Sequence, residues 1–356
     1  MFKKKLHEQL DKLIDKYSGK EYLSNKLQNY IETILPASME AAEKDHNLRE
    51  KRKQGLEADS EDFIQRFISK SRCFYCPQNE LFVLYDGIHF SGFSEDNIVH
   101  KILSQITSEQ KLCSWKHKIK NSLIRRIKEK SPLTAIPESV TIQSVLNSLL
   151  NTKQTIFKSR NHAKYFLTVI GDCLHNKSQE KQLIYFVSSS IKALLREIEV
   201  QIYTFFGYTN ALQNIKFKYY DHNYELSRLL YIDEKRKPIK VEMELSKYIL
   251  DLLCVASHYS IRYQCADNFI KQCTDSSLVN HVLYLKKNTQ LSIVNTFIES
   301  CIQSGPQVGI KSKNMIFIWK KFLEERNVPN ILFHGSLTAI LHEKLNYDSE
   351  YDIYND

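Results

Sequence analysis

Residues 71–90 read SRCFYCPQNELFVLYDGIHF, and this stretch decides the fold class, because it is the clearest β signal in a chain that otherwise has the periodicity of helices. RCFYC and LFVLYD are rich in aromatic and β-branched residues, which favour strands. PQNE separates them as a four-residue turn led by proline, and Asp86-Gly87 is a tight-turn dipeptide before IHF. The stretch therefore predicts a small β-meander near residues 72–90.

The same stretch contains the pair Cys73-x-x-Cys76, which has three interpretations. A structural zinc site needs four ligands, and the nearest companions, Cys113 and His117, follow after an unusually long gap. A redox pair normally opens a helix, whose dipole lowers a thiol pKa, whereas this pair lies in a predicted strand. We therefore predict no metal and no cofactor, with both cysteines as small apolar strand residues. The zinc set Cys73, Cys76, Cys113 and His117 is the weaker alternative.

Outward from the meander, apolar residues recur at helical spacing over most of the chain. Helices are predicted for residues 2–34, 139–150 and 160–174, and for most of 244–303. LIYFV, at 183–187, reads as a strand, SSS as the cap of a helix that ends near Gly207, and IKFKYY and RLLYID as a further strand pair. The predicted fold is mainly α (α+β): a multi-helix domain with the meander and a short second strand group near 183–233.

Changes in composition predict three regions. Residues 1–70 form an N-terminal helical region in which the charged stretch up to residue 61 is an exposed helix or a linker. Residues 71–303 form a central α+β domain. The linker SGPQVGIKSKN, at 304–314, then leads to a C-terminal helix–turn–helix region at 304–356, which we expect to be truncated.

Glycine is scarce, with nine residues in 356. Phosphate-cradling loops need glycines so that the backbone can approach the ligand, and neither G-x-G-x-x-G nor G-x-x-x-x-G-K-[ST] occurs. This argues against a P-loop or Rossmann nucleotide site. H-E-x-x-H and G-x-S-x-G are absent as well, so we predict no catalytic residue and lean against an enzyme.

A basic helix carries the strongest binding signal. Residues 111–130 hold eight lysines and arginines against Glu129 alone, in a chain of net charge +9. Such a cluster attracts nucleic-acid phosphates through counterion release, and Trp115 could add a stacking surface. An acidic protein partner and a merely solvated helix face remain the alternatives. The predicted phosphate contacts are Lys116, Lys118, Lys120, Arg125, Arg126, Lys128 and Lys130.

The helix–turn–helix at residues 315–346 is a weaker signal for DNA. Its second helix offers only His342 and Lys344 as cations, beside Glu343. DNA-recognition helices usually present more Arg, Asn or Gln to base edges. We therefore predict that the two helices pack together and do not read bases.

Several segments resemble a family of uncharacterised giant-virus (mimivirus-like) proteins: LFVLYDGIHF, SEDNIVHKIL, WKHKIKNSLIRRIKE, IPESVTIQSVL and RNHAKYFLTVIGD. The resemblance runs from about residue 72 to the end. A looser one is to poxvirus-type primase-helicases, in which a helical domain precedes a superfamily 3 helicase and a winged helix. LIYFVSSSIKALL occupies the strand–loop–helix where a P-loop would lie, but it lacks the glycines and the Lys-Ser/Thr pair. Lys192 is expected inside the helix.

The resemblance and the charge together imply a non-enzymatic nucleic-acid-associated accessory protein of viral replication or transcription. The alternatives are a helical protein–protein scaffold with no nucleic-acid role and a diverged helicase- or primase-related protein that lacks the ATPase. No apolar leader opens the chain, and KYILDLLCVASHYSI is too short and too polar to span a membrane. We expect an intracellular protein with reduced thiols, in the host cytoplasm or a viral factory, and no membrane partner.

Overall fold

The computed structural model describes residues 2–150, 157–231, 248–303, 305 and 309–355. They are mainly α-helical, with three small three-stranded sheets, which confirms the predicted fold class. The chain divides into two compact units, one of Met1–Ser69 with Ile102–Ser122 and one of Lys70–Lys101 with Leu123–Asp356. The division into three regions at residues 70 and 303 stays a prediction. Part of the predicted linker, residues 304 and 306–308, lies outside the described residues.

The first unit is helical. The charged stretch before residue 61 belongs to one long helix, because its Glu, Lys, Arg and Ala residues all favour helix. Its buried apolar side chains are Phe63, Ile64, Phe67, Ile102, Ile106, Leu112 and Ile119. The helices that lie in it or enter it are α1 (Phe2–Tyr17), α2 (Glu21–Asn29), a π-helical turn (Tyr30–Ile34), α3 (Leu35–Ser71), α4 (Glu95–Ser108), a 3-10 turn (Gln110–Trp115) and α5 (Lys116–Lys128).

The predicted meander is confirmed in the second unit. Strands β1 (Cys73–Cys76), β2 (Leu81–Tyr85) and β3 (Phe90–Phe93) pair antiparallel in that order. The Asp86 carboxylate accepts hydrogen bonds from the Ile88 and His89 amides, at 2.7 Å each, and so holds the turn before β3.

The second strand group is also present, but its pairing differs from the prediction. Strands β4 (Ile184–Val187), β5 (Ile215–Lys216) and β6 (Ser227–Tyr231) form a parallel sheet in the order β5-β4-β6. The expectation that β5 and β6 pair with each other was wrong, since both pair with β4. Helix α9 (Lys192–Phe206) connects β4 to β5, as a parallel neighbour requires a crossover connection.

A helical core in the second unit shares an apolar cluster with residues of β4, β5 and β6. Helices α7 (Arg160–Leu174) and α10 (Ile249–Tyr263) pack along each other, and most of their residues are buried. Gly171 allows this close approach, because a Cβ atom there would lie 2.1 Å from the Ala256 carbonyl oxygen. The other helices of this part are α6 (Ser139–Leu150), α8 (Lys177–Glu180), α11 (Ala266–Gln272), α12 (Ser276–Val282) and α13 (Tyr284–Lys287).

The C-terminal part contains the predicted helix–turn–helix and a hairpin that was not predicted. Its elements are α14 (Gln290–Cys301), β7 (Ile310–Lys311), α15 (Ser312–Glu325), α16 (His334–Lys344), β8 (Asn346–Asp348) and β9 (Ile353–Asn355). The strands pair antiparallel in the order β7-β9-β8. This succession of helix, strand, two helices and hairpin is the topology of a winged helix–turn–helix. The acidic end forms the wing because Asp348 accepts from the Glu350 and Tyr351 amides and so closes the turn.

The winged helix–turn–helix and the parallel sheet share one apolar cluster. Phe297, Trp319 and Phe322 pack in it together with Phe186 of β4 and Leu229 of β6. Among the residues that the structure describes, none of the helices combines the length and the apolar character that a bilayer-spanning helix requires.

Candidate functional site

Helix α5 has the amphipathic form that its sequence predicts. Ile119, Leu123 and Ile127 follow one another at four-residue spacing and are almost fully buried. Since residues four apart lie on one face of a helix, this face packs inward and the opposite face carries the charges.

The predicted phosphate contacts divide into exposed and partly buried side chains. Lys116, Lys120 and Arg126 are partly buried, whereas Lys118, Arg125, Lys128 and Lys130 are exposed. Arg125 and Lys128 lie one turn apart on the outer face of α5, and Lys130 follows two residues after the helix ends. We call Arg125, Lys128 and Lys130 the basic end of α5.

Lys118, in the first half of α5, already interacts with other residues of the protein. The Nζ atom of Lys118 lies 3.7 Å from a Glu57 carboxylate oxygen and 4.0 Å from the centre of the Trp115 ring. Its charge is therefore partly neutralised, and it covers the ring that was expected to stack on a base. The sequence could not show this, because Glu57 is 61 positions away from Lys118.

The side chains at the basic end of α5 are more available to a binding partner than Lys118 is. Arg125 has no ion-pair partner within the described part of the chain. The Nζ atom of Lys128 lies 5.0 Å from the Tyr75 ring centre and 5.8 Å from that of Phe82. A cation over aromatic rings keeps its full charge, since the ring quadrupole does not neutralise it. Glu129 is the one acid in this stretch of sequence.

The cysteine pair lies in β1, and both thiols are buried. Because the two residues are three apart in a strand, their side chains point to opposite faces of the sheet. Burial raises the pKa of the Cys73 thiol and raises the pKa of Cys76 to about 12. Both thiols are therefore protonated at neutral pH, which does not suit a redox nucleophile.

The alternative zinc set gains no support from the geometry. Cys113 is exposed in the 3-10 turn before α5, and His117 is exposed in its first turn. Within the described ranges, no group of three or more His, Cys, Asp or Glu side chains is arranged to hold a metal ion. That the protein uses no metal or cofactor stays a prediction.

A cleft lies at the carboxyl edge of the parallel sheet, with a volume of about 510 Å³. Its walls come from the residues that follow β4 and β5 and from the turn between α15 and α16. We call it the strand-end cleft, and the side chains on which its chemistry depends are Ser189, Lys192, Phe217, Lys218, Tyr219 and Phe333.

Local structure places each of these side chains. The Ser188 hydroxyl accepts from the Ser190 amide and starts the turn that leads into α9. Lys192 lies in α9, as expected from the sequence, and is the first residue of that helix. Its Nζ atom lies 5.7 Å from the centre of the Phe217 ring. This cleft was not predicted from the sequence, although a serine run after one strand and KFK after another were visible signals.

A histidine–aspartate pair lies elsewhere in the second unit. His89 Nδ1 lies 2.7 Å from Asp251 Oδ2, and the other carboxylate oxygen accepts from the Phe90 amide at 2.6 Å. Tyr248 stacks on the imidazole with ring centres 4.5 Å apart. Burial raises the pKa of Asp251, with the two hydrogen bonds acting against it. These contacts attach the turn before β3 to α10, and within the described residues no Ser, Thr or Cys side chain hydrogen-bonds to the pair, so we assign it a structural role.

Comparison of the chain with protein-family models, with curated proteins and with solved structures finds no match.

Proposed function

We propose that this protein is a non-enzymatic, nucleic-acid-associated accessory factor of viral replication or transcription that contacts the phosphate backbone through α5. The observation that carries the proposal is the basic end of α5, where Arg125, Lys128 and Lys130 are all exposed. Neighbouring phosphates on a nucleic acid match such a row of cations, and their counterions are released on binding.

The partly buried cations play a smaller part in this proposal than the sequence suggested. Lys116 and Lys120 keep part of their side chains packed against the protein, and Lys118 is paired with Glu57. Only the exposed cations can approach a phosphate without rearrangement. The expected contact is therefore small, and its affinity should depend strongly on salt.

The C-terminal topology supports the same class of partner, because helix–turn–helix domains commonly lie on DNA. The second helix, α16, has no Arg, Asn or Gln, and its exposed residues are His334, Gly335, Ser336, Ala339, His342, Glu343 and Lys344. Those missing side chains are the ones that discriminate bases by bidentate hydrogen bonds. The proposed binding is consequently independent of sequence.

The test is fluorescence anisotropy with labelled single-stranded DNA, duplex DNA and RNA at two salt concentrations. We expect binding to weaken steeply with salt, with a slope of about 2 to 3 in log Kd against log salt for three phosphate contacts on duplex DNA. The variant Arg125→Glu, Lys128→Glu, Lys130→Glu should bind at least tenfold more weakly. Arg126 is left unchanged because its side chain is partly buried.

The matched control is Arg262→Glu, Lys271→Glu, Lys287→Glu, since these three side chains are also exposed and lie in the same compact unit, outside the winged helix–turn–helix. It makes the same change in charge and should bind much as the wild type does. Equal losses in the two variants would show that only the overall charge matters, and would contradict a site on α5.

A second candidate function, a helical scaffold for protein partners, is favoured by α1. Leu6, Leu13 and Ile14 lie at helical spacing, and all three are exposed. The helix buries none of its residues within the described chain. If the folded protein binds no nucleic acid at low salt, the scaffold becomes the preferred function.

A further inference from the structure

We propose that the strand-end cleft binds a nucleotide, with its phosphate between Lys192 and Lys218 and its base against Phe217 and Phe333. This site is separate from α5, and the proposal does not depend on the one made for that helix.

Two positively charged side chains mark the end of the cleft that would hold the phosphate. Lys192 and Lys218 are both exposed, and no Asp or Glu lines the described walls of the cleft. Neither lysine has an ion-pair partner within 4 Å among the residues that the structure describes. Lys192 also begins the 15-residue helix α9, whose N-terminus adds a partial positive charge. Two lysines without ion-pair partners, beside apolar side chains of the cleft, favour an anion with more than one charged oxygen.

Aromatic rings mark the end of the cleft that would hold the nucleotide's base. Phe333 stands in the wall of the cleft with half of its surface exposed. Its ring centre is 6.3 Å from that of Tyr219, whose hydroxyl donates to the His222 carbonyl oxygen and is therefore fixed in place. A planar base that stacks on Phe333, with Phe217 in the same wall, would cover apolar surface that is otherwise in contact with water.

The position of the cleft in the fold is an independent reason. Strand β4 has a parallel neighbour on each side, and Ser189 and Phe217 follow the carboxyl ends of β4 and β5. In open parallel sheets, ligands bind in the crevice outside the carboxyl ends of the strands. The volume of about 510 Å³ lies in the usual range for small-molecule sites.

The scarcity of glycine does not argue against this site. Glycines are needed where backbone amides surround a phosphate, whereas here the contacts come from lysine side chains and a serine hydroxyl. The same difference means that no P-loop chemistry is expected, so the ligand is bound and not hydrolysed.

A base joined to a phosphate through a sugar has two sources, a free mononucleotide and the 5′-terminal nucleotide of a single strand. Isothermal titration calorimetry with the whole chain distinguishes them. The first set of ligands is AMP, UMP, adenosine and inorganic phosphate. The second is a pentanucleotide with and without a 5′-phosphate. We expect AMP to bind at least tenfold more tightly than adenosine or phosphate, because neither of those fills both ends of the cleft.

Variants separate the two ends of the site. Lys192→Gln, Lys218→Gln should weaken AMP binding at least tenfold, whereas Phe333→Ala should weaken the binding of AMP but not that of phosphate. The control Lys271→Gln, Lys320→Gln removes two exposed charges outside the cleft and should bind as the wild type does. Circular dichroism establishes that each variant is folded.

The outcomes are distinct. If only the 5′-phosphorylated strand binds, and both lysines are needed, the source is a strand end and the site is supported. The proposal is overturned if the folded wild type binds none of these ligands, or if the double lysine variant binds AMP as the wild type does. The α5 variant Arg125→Glu, Lys128→Glu, Lys130→Glu should bind AMP normally, so failure here is distinguishable from failure of the proposed function.

Discussion

At the scale of single residues, Gly171 shows how one position controls helix packing. A Cβ atom there would lie 2.1 Å from the Ala256 carbonyl oxygen and 2.7 Å from Ser260 Cβ. Backbone atoms cannot move aside as the end of a flexible side chain can, so any side chain at this position pushes α7 away from α10.

We predict that Gly171→Ala lowers the free energy of unfolding by about 3 kcal/mol, as overpacking of a tight core does. Gly55→Ala is the control, because nothing lies within 4 Å of its Cβ position in α3. That change should stabilise the protein by about 0.5–1 kcal/mol, since alanine favours helix more than glycine does. Urea denaturation followed by circular dichroism measures both values, and a Gly171→Ala variant as stable as the wild type would contradict the packing described here.

His281 makes the stability depend on pH. Burial lowers its pKa from 6.5 to about 4, and the nearby His162 and Lys158 act in the same direction. Between these two pKa values the unfolded chain binds a proton at this residue and the folded chain does not. Acid therefore favours the unfolded state in that window, and the contribution to stability present above pH 6.5 is lost as the pH falls toward 4.

The expected result is that His281→Gln flattens the dependence of unfolding free energy on pH between about 6.5 and 4. Urea denaturation at pH 7, 5.5 and 4.5 measures this dependence for the variant and the wild type. His334, an exposed histidine at the start of α16, provides the control variant His334→Gln. Identical slopes for all three proteins would mean that His281 is not protected from protonation in the fold.

At the scale of secondary-structure elements, an ion pair joins β6 to α11. Arg228 donates to Asp267 from Nε at 3.0 Å and from Nη2 at 2.8 Å, and its Nη1 donates to the Glu225 and Ser227 carbonyl oxygens. Burial alone would raise the pKa of Asp267, but the guanidinium brings that pKa below its ordinary value. The Arg228 side chain is only 3% exposed, so it cannot turn to water if its partner is lost.

Asp267→Ala should therefore destabilise the protein by about 3–5 kcal/mol, because it leaves a buried charge unpaired. The double variant Arg228→Met, Asp267→Ala should recover much of that loss. Glu138→Ala serves as the control, since it breaks the exposed Arg72–Glu138 pair and should change stability by less than about 1 kcal/mol. Urea denaturation measures all three, and a double variant no better than Asp267→Ala would argue that the loss comes from packing and not from the charge.

At the scale of the whole molecule, stability should vary strongly along the chain. Most residues of α7 and α10 are buried, whereas α1 buries none of its residues within the described chain. Segments with few buried contacts open at little cost in free energy. Amide hydrogen exchange measured by mass spectrometry should show α1 exchanging fastest and α7 with α10 slowest. Strong protection of α1 in the isolated protein would show that its apolar residues are covered, and would weaken the scaffold alternative.

The candidate sites were predictable to different degrees. The basic helix was visible in the sequence, because a run of cations with an apolar stripe is a local pattern. The sequence did not show which of those cations are free of contacts within the protein. Glu57, which pairs with Lys118, and the Tyr75 and Phe82 rings, which lie under Lys128, are all far from α5 in the chain. The strand-end cleft was missed entirely, because its residues come from three distant stretches that only the fold brings together.

Local sequence patterns specify the mainly helical fold class, the meander and the positions of nearly all the predicted helices. Those features depend on periodicity, turn residues and caps, which act over a few neighbouring residues. Only the tertiary structure decided that β4 lies between two parallel partners, that the acidic C-terminal residues form a wing, and that Lys192 and Lys218 line one cleft. The physical reason is that strand pairing and burial depend on contacts between residues far apart in the chain, and local patterns do not specify those contacts.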